Sequence, residues 1–258
     1  MGHAEWGRDP EFFGPRHAYR ERLIVTAITA GGPPRLHLDC AAGVGSLAVA
    51  LARRGTAVVA ADLSLRSLVI TQRRSCTQGG AGNVFPVVAD ITNLPFEQGV
   101  FPSISTAETL EHIPRHVHAL CELSRVLTPT GRIVGTVPHG PRQWSAWDEW
   151  AGHLRRYTAS SLRRALEAAG LSGRIRRWGW PLMRLYDGLF LKRVNARRLT
   201  LDRSTDDDPA LRSVKGLGRR RWLVAFVTAA FSIDRLFPDT PWGVGLLFIV
   251  SKTTSPRR

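Results

Sequence analysis

The sequence predicts an α/β architecture, a mostly parallel sheet with helices on both faces. Three observations carry this. Short runs rich in Val, Ala and Leu alternate with longer amphipathic stretches. Three of the early runs end in an aspartate: Asp39, Asp62 and Asp90. The first aspartate leads through Cys-Ala-Ala into Gly43-Val-Gly45-Ser46, a glycine turn that opens a helix. Such a turn presents free backbone N–H groups to a nucleotide-like cofactor, and glycine lets that cofactor approach the backbone.

The elements follow in order. A helix is expected over 11–30, lying across the sheet edge. Strands are expected near 35–39, 57–61, 84–89, 101–106, 131–137, 172–178 and 243–251. Helices are expected near 46–54, 64–75, 114–127, 158–169, 181–194 and 219–236. A Pro/Trp-rich connection covers 138–153, and 200–218 reads as a loop. The insertion at about 180–240 is expected to form a helical lid on a single domain spanning 1–258.

In a parallel sheet the C-terminal strand ends open onto one crevice, so the three aspartates are expected to face a common ligand. Asp62 lies 23 residues after Asp39. At the tip of a second strand it can accept from both hydroxyls of a ribose.

Here the chain resembles the class I S-adenosylmethionine-dependent methyltransferases, in the small-molecule branch related to ubiquinone and menaquinone biosynthesis. Leu38-Asp39-Cys-Ala-Ala-Gly43-Val-Gly45 is similar to the first cofactor motif, Val59-Ala-Ala-Asp62-Leu63-Ser64 to the second, and Ala89-Asp90-Ile91 through Leu94-Pro95-Phe96 to the third. Thr109-Leu110-Glu111-His112-Ile113 resembles the signature after the fourth strand. Glu122 through Arg125 to Gly131, and His153 through Tyr157-Thr158, resemble later ones. The chain departs from the family at Ala41 and Thr130, where glycine is usual, and at Pro102, where an acid is common.

The resemblance implies a Rossmann-like, seven-stranded sheet whose last strand is antiparallel, and S-adenosylmethionine as cofactor. It implies that Asp39 holds the donor's ammonium and that Ala41, Gly43 and Gly45 offer backbone N–H groups. Asp62 would take the ribose, Leu63 would pack on the adenine, and Asp90 and Ile91 would lie beside it. Tyr19, with His17 and Arg20, is expected to close over the cofactor from the first helix. The reaction is an in-line displacement at a sulfonium methyl, which calls mainly for alignment and exclusion of water. His112, His153 and Glu111 are the candidate catalytic groups, needed where the acceptor must lose a proton. The acceptor is expected to be a small molecule, hydrophobic or anionic, with O, N and C all open as the methylated atom.

Composition bounds the rest. Residues 151–258 hold 22 Lys and Arg against 8 Asp and Glu, whereas residues 1–150 are nearly balanced at 14 against 13. A basic face suits an anionic acceptor or a peripheral membrane contact. The aromatic cluster Trp144, Trp147, Trp150, Trp178 and Trp180 reads either as an apolar acceptor pocket or as packing between lid and core. Two rival readings are weighed. One is an NAD(P)-dependent oxidoreductase, since Gly43-Val-Gly45-Ser-Leu-Ala48 fits a dinucleotide fingerprint, but Asp90 and the Leu-Glu-His stretch have no role there. The other is an RNA-directed methyltransferase using the basic face. Against it, no base-methylation motif follows strand four and no RNA-binding module is appended, so nucleic acid is not the expected partner. His112, His116 and His118 fall on different faces of a helix, so no metal is expected. Three cysteines without paired spacing suit a reducing cytoplasm. The absence of a signal-like start or a long apolar run suits the same compartment.

Overall fold

The computed structural model describes residues 14–79, 82–191, 221–237 and 240–253. Seven strands form one sheet in the order β3-β2-β1-β4-β5-β7-β6. They are β1 (Leu36–Cys40), β2 (Ala57–Asp62), β3 (Val84–Val88), β4 (Phe101–Ala107), β5 (Leu127–Pro138), β6 (Leu171–Trp178) and β7 (Gly245–Lys252). β7 runs antiparallel to both β5 and β6; the pairings from β3 across to β5 are parallel. The chain therefore lays strands outward from β1 first on one side and then on the other, and β1 and β4 meet where the chain order switches. Ligands bind at such a switch point in open α/β sheets.

Eight α-helical segments accompany the sheet among the described residues: α1 (Pro15–Ile28), α2 (Ser46–Ala52), α3 (Leu65–Gln78), α4 (His116–Val126), α5 (Ala146–Ala151), α6 (Ala159–Ala168), α7 (Leu182–Tyr186) and α8 (Arg221–Ala230). One face of the sheet is covered by α4 and α6 through Leu120, Leu123, Leu162 and Leu166. The other is covered by α1 and α2 through Ile24, Ile28, Leu47 and Leu51, which pack on Val58 and Val134. The N-terminal helix thus lies on a sheet face, not across the sheet edge as expected. Its apolar residues at 24, 25 and 28 follow helical spacing and need a flat apolar partner, which an edge does not supply.

Local signals set the boundaries. The Ser64 hydroxyl accepts from the Ser67 N–H at 3.2 Å to start α3, and Thr158 and Ser161 cap α6 reciprocally at 2.9 and 3.0 Å. β5 and β7 approach closely at Gly135, where a Cβ would sit 2.3 Å from the Phe248 ring and 2.5 Å from the Thr106 carbonyl. Two expected helices are broken. The stretch from 181 gives the short α7 and then a π-turn at Asp187–Leu191. The last one gives α8 and then a 3₁₀ turn at Phe231–Leu236. The whole of the expected loop, 200–218, and the middle of the expected lid, 192–220, lie outside the described residues. Within the described part of the insertion, Asp234 accepts from the N–H groups of Leu182 and Met183 at 2.8 and 3.1 Å, and Met183 and Phe231 pack with Tyr19, Trp178 and Val244 of the core. No helix among the described residues is long and apolar enough to cross a membrane.

Candidate active site

The C-terminal ends of β2, β1 and β4 lie side by side at the switch point, where open α/β sheets form a crevice. The turn after β1 is bound on two sides: Ala42 donates to the Ala61 carbonyl at 3.0 Å, and the Gly43 N–H donates to Asp62 Oδ2 at 2.8 Å. Asp62 Oδ1 accepts from the Ser64 N–H at 2.8 Å. One carboxylate therefore locks the turn to the tip of β2 and keeps further acceptor capacity on both oxygens. From α3, the Thr71 hydroxyl donates to the Gly43 carbonyl at 3.1 Å and Arg74 to the Val44 carbonyl at 3.0 Å. Gly45 (φ +74°) cannot be replaced, since a Cβ there would fall 2.4 Å from Thr71. Gly43 (φ +55°) instead faces open space. Ala41 has φ +60°. The glycine usual in the family is thus replaced where an L side chain is strained, by about 1–2 kcal/mol.

Asp39 is buried, and its register partner on β4 is Ser105. The Ser105 hydroxyl donates to Asp39 Oδ1 at 2.7 Å. Ser105 must then accept from His37 Nε2 at 2.8 Å, which leaves His37 Nδ1 to accept from the Ser103 hydroxyl at 2.9 Å. Burial holds the His37 ring neutral, its pKa lowered to about 3. Burial also pushes the Asp39 carboxyl up to about 7, against the Ser105 hydrogen bond that favours its ionised form. Asp39 Oδ2 is buried with no hydrogen-bond partner.

These features fit the donor. The orphaned Oδ2 of Asp39 suits an ammonium, the open cradle at Gly43 suits close approach, and Asp62 suits a ribose. Leu63 is 66% exposed at the tip of β2, an apolar surface that an adenine can cover. Asp90, just past β3, is exposed; its Oδ1 accepts from the N–H and hydroxyl of Thr92 at 2.7 and 2.8 Å. Ile91 is buried in the core beside Leu94. Tyr19 does not join this group. It is 1% exposed and packs on Trp178 and Phe231 with centroids at 6.2 and 5.9 Å. Its neighbours on α1 do reach the crevice: His17 hydrogen-bonds the Ser46 hydroxyl at 3.0 Å, and Arg20 lies 3.5 Å from Glu108.

The other wall is assembled from sequence-distant pieces. The Leu154 N–H donates to the Glu111 carbonyl at 2.8 Å. Arg155 donates to the carbonyls of Leu110 and Pro114, each at 3.2 Å, and to that of Ile113. Tyr157 donates to the Leu110 carbonyl at 3.2 Å. This clasp brings His153 against His112, ring centroids 4.7 Å apart and nearly perpendicular. His153 Nδ1 is held by Asp148 Oδ1 at 2.8 Å. Arg156 grips both oxygens of Asp148, at 2.7 and 3.0 Å. Burial alone would raise the Asp148 carboxyl; the hydrogen bonds from His153 and Arg156 hold it well below the usual carboxylate range. Glu111 is fully buried, and burial together with the negative Glu108 pushes its carboxyl well above the usual range. Burial and the neighbouring His153 lower His112.

Sequence reasoning did not find Thr71, Arg74, Ser105 or Asp148. Their helical and strand contexts look ordinary; the packing of α3 on the turn reveals Thr71 and Arg74, the β1–β4 register reveals Ser105, and the clasp reveals Asp148. Of the expected aromatic pocket, Trp178 packs between α1 and the insertion, while Trp147 stacks on Trp150 and Trp180 on Trp242, with centroids 4.7 and 5.2 Å apart.

A methyltransferase domain family matches residues 38–135. A demethylmenaquinone methyltransferase of Clavibacter sepedonicus is 42% identical over 113 residues, 44% of this chain and 45% of that protein. One from Mycolicibacterium vanbaalenii is 31% identical over 186 residues, 66% of this chain and 75% of that protein. The chain thus spans about half the length of the first relative and three quarters of the second. Among solved structures, the [4+2]-cyclase SpnF aligns with TM-score 0.65 and 19% identity over 99% of this chain and 89% of that one. The geranyl diphosphate C-methyltransferase of Streptomyces coelicolor A3(2) aligns with TM-score 0.61 and 18% identity over 92% and 77%. At that identity these two establish the fold alone. The aspartate-anchored glycine turn, the seven-stranded sheet and the sequence relatives together place the chain: it belongs to the class I S-adenosylmethionine-dependent methyltransferases, in their small-molecule branch.

Proposed function

We propose that this chain transfers the methyl group of S-adenosylmethionine to a small, largely apolar acceptor that loses a proton in the reaction. The observation that carries the reading is the juxtaposition of two walls at the sheet's switch point. One wall has Asp62 and Asp39 Oδ2 ready for a cationic ribonucleoside; the other has Glu111, His112 and His153 gathered for proton chemistry. The donor, when bound, supplies an electrophilic methyl on a positively charged sulfur. The chain's own residues hold the donor's ends, orient the acceptor and take part in removing its proton. The relatives support an apolar acceptor, being named for demethylmenaquinone, as does the neighbour whose title names geranyl diphosphate.

The basic C-terminal third supports a lipid surface as the place where such an acceptor is met. On α8, Trp222 and Phe226 are exposed, followed by exposed Ile233, Arg235 and Leu236. Apolar and cationic side chains together suit an anionic interface. Sedimentation with phosphatidylglycerol vesicles at low salt should carry the chain down, and failure to do so removes this part of the reading.

The reaction itself is tested by incubating the chain with S-adenosylmethionine and a short-chain prenylated hydroquinone, following S-adenosylhomocysteine by mass spectrometry. Formation of S-adenosylhomocysteine with a methylated product supports the reading. A melting temperature raised by NAD and not by S-adenosylmethionine overturns it in favour of an oxidoreductase.

A further inference from the structure

The acceptor wall contains a group of donors that acid–base chemistry alone does not explain. Ligand-capable atoms of Glu111, His112 and His153 all lie within 4.8 Å of one another. Neither carboxylate oxygen of Glu111 has a hydrogen-bond partner, and both are buried. A buried carboxyl with no partner for either oxygen is costly. The nearby arginines are committed elsewhere, Arg20 to Glu108 at 3.5 Å and Arg156 to Asp148 at 2.7 Å.

Both imidazoles have an outer partner. Asp148 holds His153 Nδ1 at 2.8 Å, which turns Nε2 over to other contacts, and the Gly152 carbonyl accepts from the His112 ring. Carboxylate and carbonyl partners of this kind fix the tautomer of imidazoles that ligate metals. Glu108, three residues before Glu111, has φ +52° and a buried Oε1 without a hydrogen-bond partner. Strained non-glycine residues of this sort gather at functional sites, and this one adds a second negative charge at the rim.

We propose that Glu111, His112 and His153 hold one divalent transition cation, and that this cation takes a hydroxyl oxygen of the acceptor. Two imidazoles and a carboxylate suit zinc, cobalt or manganese better than magnesium or calcium, which prefer oxygen throughout. Bonds of about 2.0–2.2 Å draw ligand atoms closer than they stand here, a shift of about an ångström that side-chain rotation supplies. Three protein ligands leave a coordination position open for substrate.

The consequence for chemistry rests on the methyl-transfer reading above. The acceptor's O–H bond breaks and its proton passes to water; the cation makes this favourable near neutral pH by lowering the hydroxyl's pKa. The oxygen's electron pair then forms the O–CH₃ bond, while the S–CH₃ bond breaks and its pair stays on sulfur. The acceptor class narrows accordingly to enols, phenols and hydroquinones.

The test is a titration of the full chain, carrying no histidine tag and stripped with chelator, with Co²⁺ alone. One equivalent should bind, with visible ligand-field absorption and a raised melting temperature. Glu111→Gln and His153→Asn should each weaken Co²⁺ binding by roughly tenfold or more. His118→Asn, on the exposed side of α4, should leave it unchanged. Binding that ignores the first two substitutions overturns the proposal. Should either variant fail to fold, the unaltered chain still decides: no saturable Co²⁺ binding tighter than about 1 mM overturns it. A parallel titration with S-adenosylmethionine separates the two readings. Donor binding without Co²⁺ binding overturns only the cation site; absence of donor binding overturns the methyl-transfer reading itself.

Discussion

The donor wall and the acceptor wall of the crevice are built by different means. On the donor side, Asp39, Gly43, Gly45 and Asp62 lie within one βαβ unit, and backbone N–H groups do much of the fastening. On the acceptor side, Glu111 and His112 lie in the connection from β4 to α4, and His153 comes from some forty residues later. Arg155, Tyr157 and the Leu154 N–H supply the fastening there. A cofactor shared by a whole family is met by a turn written locally in sequence. On the proposed reading, the acceptor is met by a loop tied on with side chains, which can change without disturbing the turn.

The comparison breaks most visibly at Asp148. Replacing it with alanine leaves Arg156 charged and unpaired against a buried position, and frees His153 to rotate. We expect a loss of about 3–5 kcal/mol in chemical denaturation, with donor affinity in the surviving folded fraction unchanged. Loss of donor affinity in equal measure would mean that the two walls are one unit.

Asp62→Ala makes the converse cut. It should weaken S-adenosylmethionine binding by about 1.5–3 kcal/mol in calorimetry, the scale of hydrogen bonds to a charged group. It should leave His112 and His153 in contact. Donor affinity unchanged in a folded variant would remove Asp62 from the site.

Asp39 sharpens the comparison through pH. Its folded-state pKa of about 7 lies above the ordinary carboxylate value. The folded protein therefore holds this proton more tightly than the unfolded chain does. Its contribution to stability is full below about pH 4 and falls away as pH rises through about 7. A donor ammonium wants the ionised form, so donor affinity should drop as pH falls below 7. Asp39→Asn should flatten both trends between pH 4 and 7 and weaken donor binding at pH 8. A pH profile for donor binding that Asp39→Asn leaves unaltered would assign the titration elsewhere.

The smallest effect belongs to Ala41. Glycine at φ +60° relieves strain while loosening the unfolded chain, so Ala41→Gly should stabilise by up to about 1 kcal/mol. A loss of stability would mean that the methyl group packs better than its backbone suffers.

The same contrast explains how much of the molecule was legible beforehand. The α/β class, the order of strands and the turn from Asp39 to Gly45 follow from periodicity and from a spacing within sixty residues. The antiparallel last strand came only through family resemblance, because an apolar run does not state its direction. The place of Tyr19 is not legible in sequence, because an aromatic on an N-terminal helix looks the same whether it covers a cofactor or packs on Trp178 and Phe231. His153 stands out in sequence, but its orientation by Asp148 does not: a carboxylate five residues earlier carries no signal until α5 and the following turn fold it back. The metal expectation weighed the three histidines nearest in sequence, His112, His116 and His118, whereas the fold gathers His112 with Glu111 and His153.

On the proposed reading, Asp39 and Asp62 grip the two ends of one adenosyl donor. A crystal structure of the chain with S-adenosylhomocysteine tests it directly. The expected structure has the ribose hydroxyls on the Asp62 carboxylate, the amino group beside Asp39 Oδ2 and the adenine over Leu63. A nucleoside bound away from the β1 turn, with Asp62 still holding only Gly43 and Ser64, would contradict it.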